Sequence, residues 1–336
     1  MSDDEGRSGR LNDLSRRQFL GGTGAAVVGV GGAKAVHNTV LGYGQFGFGT
    51  NLLEQDLEPL LAERLTTRYD ETVDETRLWT DEDRLVVAAD GRRELPFDAD
   101  DVEPEALDDE IGLDGRLLGA FEDGRALETG RYRFEFHEPD AFFERAADGT
   151  AHPDAVAAVR SNWDRIVDPS VVETFAGVDP AETEALVGGL KRGFREHGRY
   201  DVPRYLAGSI EDNVIFGAAD LRQHFEDPVD FESLLDGGTS GLFCWELVYR
   251  SIEAFQALPP WEQTIPMAAC YVSDRRHKHA FTGLTTAIVD GDELRLPTTF
   301  VDYTYSTLYD DLRIRRLRGE GVAAYDSGHR ADEIYW

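Results

Sequence analysis

Apolar positions recur with two different periods along this 336-residue chain, and each change of period marks an element. Leu52, Leu53, Leu57, Leu60, Leu61 and Leu65 fall on one helical face, which predicts a helix over residues 51–69. Residues 84–89 and 131–137 read as strands. Helical spacing returns over 141–147, 155–166 and 181–197, the last with Pro180 as a first-turn residue, where a missing N–H costs nothing. Trp245, Leu247, Val248, Ser251, Ile252 and Phe255 then predict a helix that begins near Cys244, after the flexible lead-in Gly237-Gly238-Thr239-Ser240-Gly241. Residues 266–272 read as a buried strand. A hairpin follows, from 281–289 through the turn Asp290-Gly291-Asp292 into 293–305. Helices and strands in separate runs place the chain in the α+β class. There is no internal repeat and no low-complexity linker, and the boundary is placed near Gly149, between a mixed α/β N-terminal region, 36–149, and a C-terminal domain, 150–336.

Three residues of that C-terminal part carry chemistry. Cys244 stands at the expected helix N-terminus, where unpaired backbone N–H groups and the helix dipole favour a thiolate and an oxyanion. His279 opens the first strand of the hairpin and Asp302 lies on the second, so the turn brings a carboxylate beside an imidazole. Thiol, base and base-orienting carboxylate, in that order, make a nucleophilic set for acyl transfer.

On Cys244 in its Gly-Leu-Phe-Cys-Trp box, His279 in His-Ala-Phe and Asp302 in Val-Asp-Tyr-Thr, the chain resembles the transglutaminase-like (papain-like thiol) superfamily. The resemblance covers residues 233–312, about a quarter of the chain. It implies a core in which the nucleophile-bearing helix packs on an antiparallel sheet. It also implies an acyl-transfer activity on peptide or protein amides, with no cofactor. Hydrolysis and transamidation both stay open, as does a non-catalytic cell-surface binding module of the same fold. The second oxyanion donor, a side chain upstream of the Cys in that superfamily, is not located. A metal-dependent enzyme is the third reading: His277 and His279, two apart on a strand, face one side and with Asp302 offer two imidazoles and a carboxylate. It leaves Cys244 and its helix unexplained.

Composition narrows the partners. Net charge is −31, and lysine occurs only at positions 34, 191 and 278, so Arg carries nearly all the positive charge. Such a surface repels nucleic acid and anionic lipid. It resembles proteins of concentrated salt, where a short Debye length screens the repulsion among carboxylates. Eleven acids against the single base Arg116 between Asp98 and Asp123 read as a solvated acidic face, with no calcium-loop spacing. Arg313, Arg315, Arg316 and Arg318 form the one basic cluster and suit pairing with the acidic body. His137, His152, His197, His224 and His329 lack metal-ligand spacing and read as surface or structural residues, and Trp163 and Trp261 read as core.

The N-terminus reads as an address rather than a fold. Ser15-Arg16-Arg17-Gln18-Phe19-Leu20 matches the twin-arginine export signature. A short Gly-rich apolar run over 21–32 and the small-residue site Ala33-Lys34-Ala35 follow, which assigns residues 1–35 to a signal peptide and the mature chain to the cell surface or medium. Replacing Arg16 and Arg17 together by Lys is expected to retain the protein inside the cell; undiminished secretion of that variant would remove the assignment. Beyond residue 35 no segment reaches the ~20 apolar residues of a membrane span. Only Cys244 and Cys270 are present. A disulfide between them would suit an exported protein, but Cys270 sits in an apolar strand, and the reading adopted is two free thiols, one reactive and one inert.

Overall fold

The computed structural model describes residues 55–63, 65, 68–160, 167–200, 229–236, 241–275, 279–291, 293–304 and 330–336. The signal segment, Trp163, His224, His277, His329 and the Arg313–Arg318 cluster lie outside them. The chain is α+β. A short helix α1 (Glu58–Glu63) precedes a four-stranded antiparallel meander of β1 (Asp70–Val73), β2 (Thr76–Asp81), β3 (Arg84–Ala88) and β4 (Arg92–Pro96). Helices α2 (Pro104–Ile111) and α3 (Arg116–Glu128) lead to β5 (Tyr132–Phe136), and α4 (Pro139–Asp148), β6 (Thr150–Ala151) and α5 (Pro153–Val159) follow. Helices α6 (Pro169–Ala176) and α7 (Thr183–His197) precede the short β7 (Arg199–Tyr200) and α8 (Phe231–Leu235). Then come β8 (Gly241–Leu242), α9 (Cys244–Phe255), β9 (Ala268–Asp274), β10 (His279–Thr285), β11 (Ile288–Asp290), β12 (Glu293–Val301) and β13 (Glu333–Tyr335).

The main sheet has seven strands in the order β13-β9-β10-β12-β11-β6, with β5 also paired to β12. All its pairings are antiparallel except β5 with β12. Neighbouring residues of its central strands enter different cores, because successive side chains of a strand point to opposite faces. Cys270, Val272, Phe281 and Phe300 pack with Leu78, Phe97, Phe121 and Val156 on one side. Ala269, Ala280, Leu284 and Val301 pack with the helices α4, α6, α7, α8 and α9 on the other. Every residue of β10 is buried, which is why that strand shows no regular alternation of apolar and polar positions. Among the described residues no helix is long and apolar enough to cross a membrane.

Several expectations are corrected here. The helix expected over 51–69 is, among the described residues, only Glu58–Glu63. Tyr69 is drawn instead to the meander, its N–H donating to Thr80 Oγ1 and its carbonyl accepting from the Thr80 N–H. Helix α7 begins at Thr183, so Pro180 stands outside it, in a turn where the Asp179 carboxylate accepts the Ala181 N–H. The acidic stretch is not wholly solvated. Asp108 and Asp123 are buried: Asp108 takes the N–H groups of Gly115, Leu117 and Leu118 at the start of α3, while Asp123 takes His152 Nδ1 and the Ala155 N–H at the start of α5. Carboxylates at helix N-termini satisfy orphan donors and complement the dipole.

Arg160 leaves α5 in extended conformation and points into the protein, where its guanidinium donates to the carbonyls of Phe255, Leu258 and Met267 and to Gln263 Oε1. It thereby places a positive charge at the C-terminal end of α9, the end at which the helix dipole favours one.

Candidate active site

Helix α9 starts at Cys244 because Phe243 is extended, with φ −95° and ψ 164°, and its N–H donates to Glu246 Oε2 at 2.6 Å. That is half of a reciprocal cap, since the Phe ring has no oxygen with which to return the bond. Leu247, Val248, Ile252 and Phe255 then turn the helix onto β9 and β10. A buried pair of hydroxyls fixes its height on the sheet, Ser251 Oγ lying 2.6 Å from Thr282 Oγ1.

That contact sets the height of Cys244 along the strand. Seven helical residues back from Ser251 is a displacement of ~10.5 Å, and three strand residues back from Thr282 is ~10 Å. Helix and strand running side by side therefore bring Cys244 level with His279. The Cys244 thiol is near enough to act on the imidazole.

His279 and Asp302 meet across the open end of the hairpin, Nε2 to Oδ2 at 3.1 Å, and both are buried. Thr282 pairs with Val301 at the last rung, so His279 stands three positions and Asp302 one position beyond the ladder they share. Asp302 is fixed from behind as well, its Oδ1 accepting the Thr304 N–H at 2.9 Å in an Asx-type turn. With Nε2 engaged by the carboxylate, the ring nitrogen able to take the thiol proton is Nδ1.

Electrostatics follow from this arrangement. Burial pulls the His279 imidazole down, but the Asp302 charge and hydrogen bond, followed by the Cys244 thiol, outweigh it and raise its pKa well above the ordinary histidine range. The ring is thereby suited to take and hold a proton from the thiol.

Cys270 is the opposite case. Both cysteines are free, yet Cys270 is wholly buried, and loss of solvent pushes its thiol up to about 12 despite a backbone hydrogen bond from Gly283. A Cβ at Gly283 would stand 2.5 Å from the Cys270 sulfur, so the glycine is needed for the strands to close over it.

Four rings line up beside the thiol. Trp245, Tyr249, Tyr271 and Tyr335 follow one another with centroids 5.5, 5.5 and 6.1 Å apart, from the residue after Cys244 to the exposed end of β13. Trp261 instead packs against the other core, beneath the Arg116 guanidinium at 4.1 Å. Among the described residues no three His, Cys, Asp or Glu side chains are grouped to hold a metal, and His277, needed by the metal-site reading, lies outside them. The sequence pointed to Cys244, His279 and Asp302. It did not reveal the Thr304 N–H or the Ser251–Thr282 contact, whose residues look in sequence like ordinary strand and helix positions.

Comparison of the chain with protein-family models, with curated proteins and with solved structures gives no match.

Proposed function

We propose that the protein is an exported, thiol-dependent acyl-transfer enzyme acting on peptide or protein amides, built on a transglutaminase-like (papain-like) core. The observation that carries this reading is the buried imidazole held by Asp302 at 3.1 Å and facing the cysteine that opens α9. A structural histidine needs no thiol at a helix entrance, and a structural cysteine, as Cys270 illustrates, is sealed away from any base.

In the reaction His279 Nδ1 takes the Cys244 proton and the sulfur attacks the amide carbonyl. The oxyanion is held by the Cys244 backbone N–H at the helix start. His279 returns the proton to the departing amine and a thioester remains. Water resolves it to a carboxylic acid, or a second amine to a new amide. Asp302 keeps the ring oriented and stabilises its charged form throughout.

Alkylation by iodoacetamide at neutral pH in molar KCl tests the reading. Cys244 is expected to be labelled stoichiometrically and Cys270 not at all, with labelling slowed by His279→Ala. An inert Cys244 in the folded protein would leave the non-catalytic surface module as the better account.

A further inference from the structure

On the face of the sheet away from Cys244, where Phe121 and Leu294 belong to the core, His152 lines a cleft of about 440 Å³ at α3 and the β11–β12 hairpin. That is the size of a small-molecule site. Phe121, Val289 and Leu294 give it an apolar wall, and Glu122, Arg125 and Arg131 bring charge to it. Among the described residues no Ser, Thr, Cys or Lys lines the cleft, so it is equipped to bind rather than to react.

The imidazole is held from one side only. Its Nδ1 lies 2.7 Å from Asp123 Oδ1, and the other oxygen of that buried carboxylate accepts the Ala155 N–H. Nε2, on the opposite edge of the ring, has no hydrogen-bond partner among the described residues. Histidines that meet a ligand through one nitrogen are oriented in this way through the other. The charges around the ring are engaged unevenly. Arg125 is paired with Asp100 at 2.8 Å, whereas Arg131 engages only its Nε, on the Thr129 hydroxyl, and makes no ion pair. Glu122 makes none either, although it shares the cleft with Arg131.

We propose that this cleft binds a free α-amino acid with an apolar side chain, its carboxylate taken by His152 Nε2 and the Arg131 guanidinium, its ammonium by Glu122 and its side chain by the apolar wall. A plain carboxylate or a plain amine would leave one of the two open charges unanswered. The Asp123 hydrogen bond raises the His152 pKa against the pull of burial, and the Asp123, Asp154 and Glu122 charges add to it, which favours the protonated ring that a carboxylate needs. Nothing in this assignment depends on the acyl-transfer reading.

Long-range proton–nitrogen correlation of the histidine rings in the full protein, in molar KCl, tests the proposal. L-Leucine is titrated beside isocaproate, which lacks the ammonium, and isoamylamine, which lacks the carboxylate. The His152 signal, identified by its loss in His152→Gln, is expected to shift saturably with leucine. Isocaproate and isoamylamine should each bind ~10-fold more weakly, the effect of one lost charge-assisted contact. Arg131→Gln should weaken leucine and isocaproate alike. Glu122→Gln should weaken leucine by a similar factor and leave isocaproate unchanged, a split that loss of fold could not imitate. Both side chains are exposed, so neither variant disturbs the core. A His152 signal that leucine does not shift, or shifts without saturating, overturns the site. Isocaproate binding as tightly as leucine, or undiminished leucine affinity in Glu122→Gln, overturns the amino-acid assignment.

Discussion

Cys244→Ala is expected to abolish thioester formation, and His279→Ala to lower the acylation rate by ~10⁴- to 10⁶-fold. The double variant should be little worse than either single, because a nucleophile and its base act as a unit and each is useless without the other. Asp302→Asn should cost less, ~10²- to 10⁴-fold, since the imidazole stays in place but loses the partner that fixes its tautomer. The pH dependence gives a sharper test. The imidazolium must protonate the leaving amine, so activity falls as pH rises through the His279 pKa. The Asp302 charge and hydrogen bond act against the depressing effect of burial on that pKa. Without them the alkaline limb of kcat/KM should move to lower pH. A limb that stays in place, or multiplicative losses in the double variant, would show that the three residues do not form one catalytic set. The same raised pKa gives the sign for stability. The native state holds the His279 proton more tightly than the unfolded chain, whose histidines titrate near ~6.5. This contribution is therefore complete below that pH and disappears as pH climbs through the folded value.

Arg160→Ala should produce the largest loss of stability of any single substitution considered, ~3–5 kcal/mol, comparable to breaking a buried ion pair. The guanidinium is partly buried and donates to three carbonyls and one side-chain amide oxygen. Three of these partners come from the segment joining α9 to β9 and the fourth from the last residue of α9 itself. Truncation takes this donor from the Leu258 and Met267 carbonyls, while Phe255 keeps the Gln263 amide, and removes the positive charge at the end of the helix. Arg160→Lys should recover only part of the loss, because one ammonium lacks the planar fork needed to reach acceptors in different directions. Urea unfolding of the three proteins in the same molar salt checks this. A midpoint for Arg160→Ala equal to that of the unsubstituted protein would mean that the hub contributes nothing net.

What the sequence made legible was local. The hairpin carrying His279 and Asp302 was visible because Asp290-Gly291-Asp292 supplies a turn with Gly291 at φ 67°, and the helix of Cys244 because its apolar spacing is regular. Most of the N-terminal meander was not legible, and its turns explain why. Asp74, Glu75 and Glu82 adopt positive φ there, at 46°, 71° and 54°, where Gly or Asn would have signalled a hairpin. Strand β4 begins with Arg92, Arg93 and Glu94, exposed residues that carry no alternating apolar signal. The pairing of β5 with β12 joins residues more than 150 positions apart, and no local pattern encodes it. Asp108 and Asp123 disappeared into a crowd of acids because burial depends on which N–H groups a fold later presents to them.

The hydroxyl contact between Ser251 and Thr282 ties two chain lengths together. From that point to the reacting atoms, seven helical residues must match three strand residues, ~10.5 Å against ~10 Å. One residue inserted between Cys244 and Ser251 would lift the sulfur by ~1.5 Å and swing it by ~100° around the helix axis. One added between His279 and Thr282 would turn the imidazole to the other face of the sheet. Those two short segments therefore tolerate substitution but not change of length. The stretch between Phe255 and Ala268 enters neither measure, and its length is set instead by the Arg160 guanidinium, which holds it at Leu258, Gln263 and Met267.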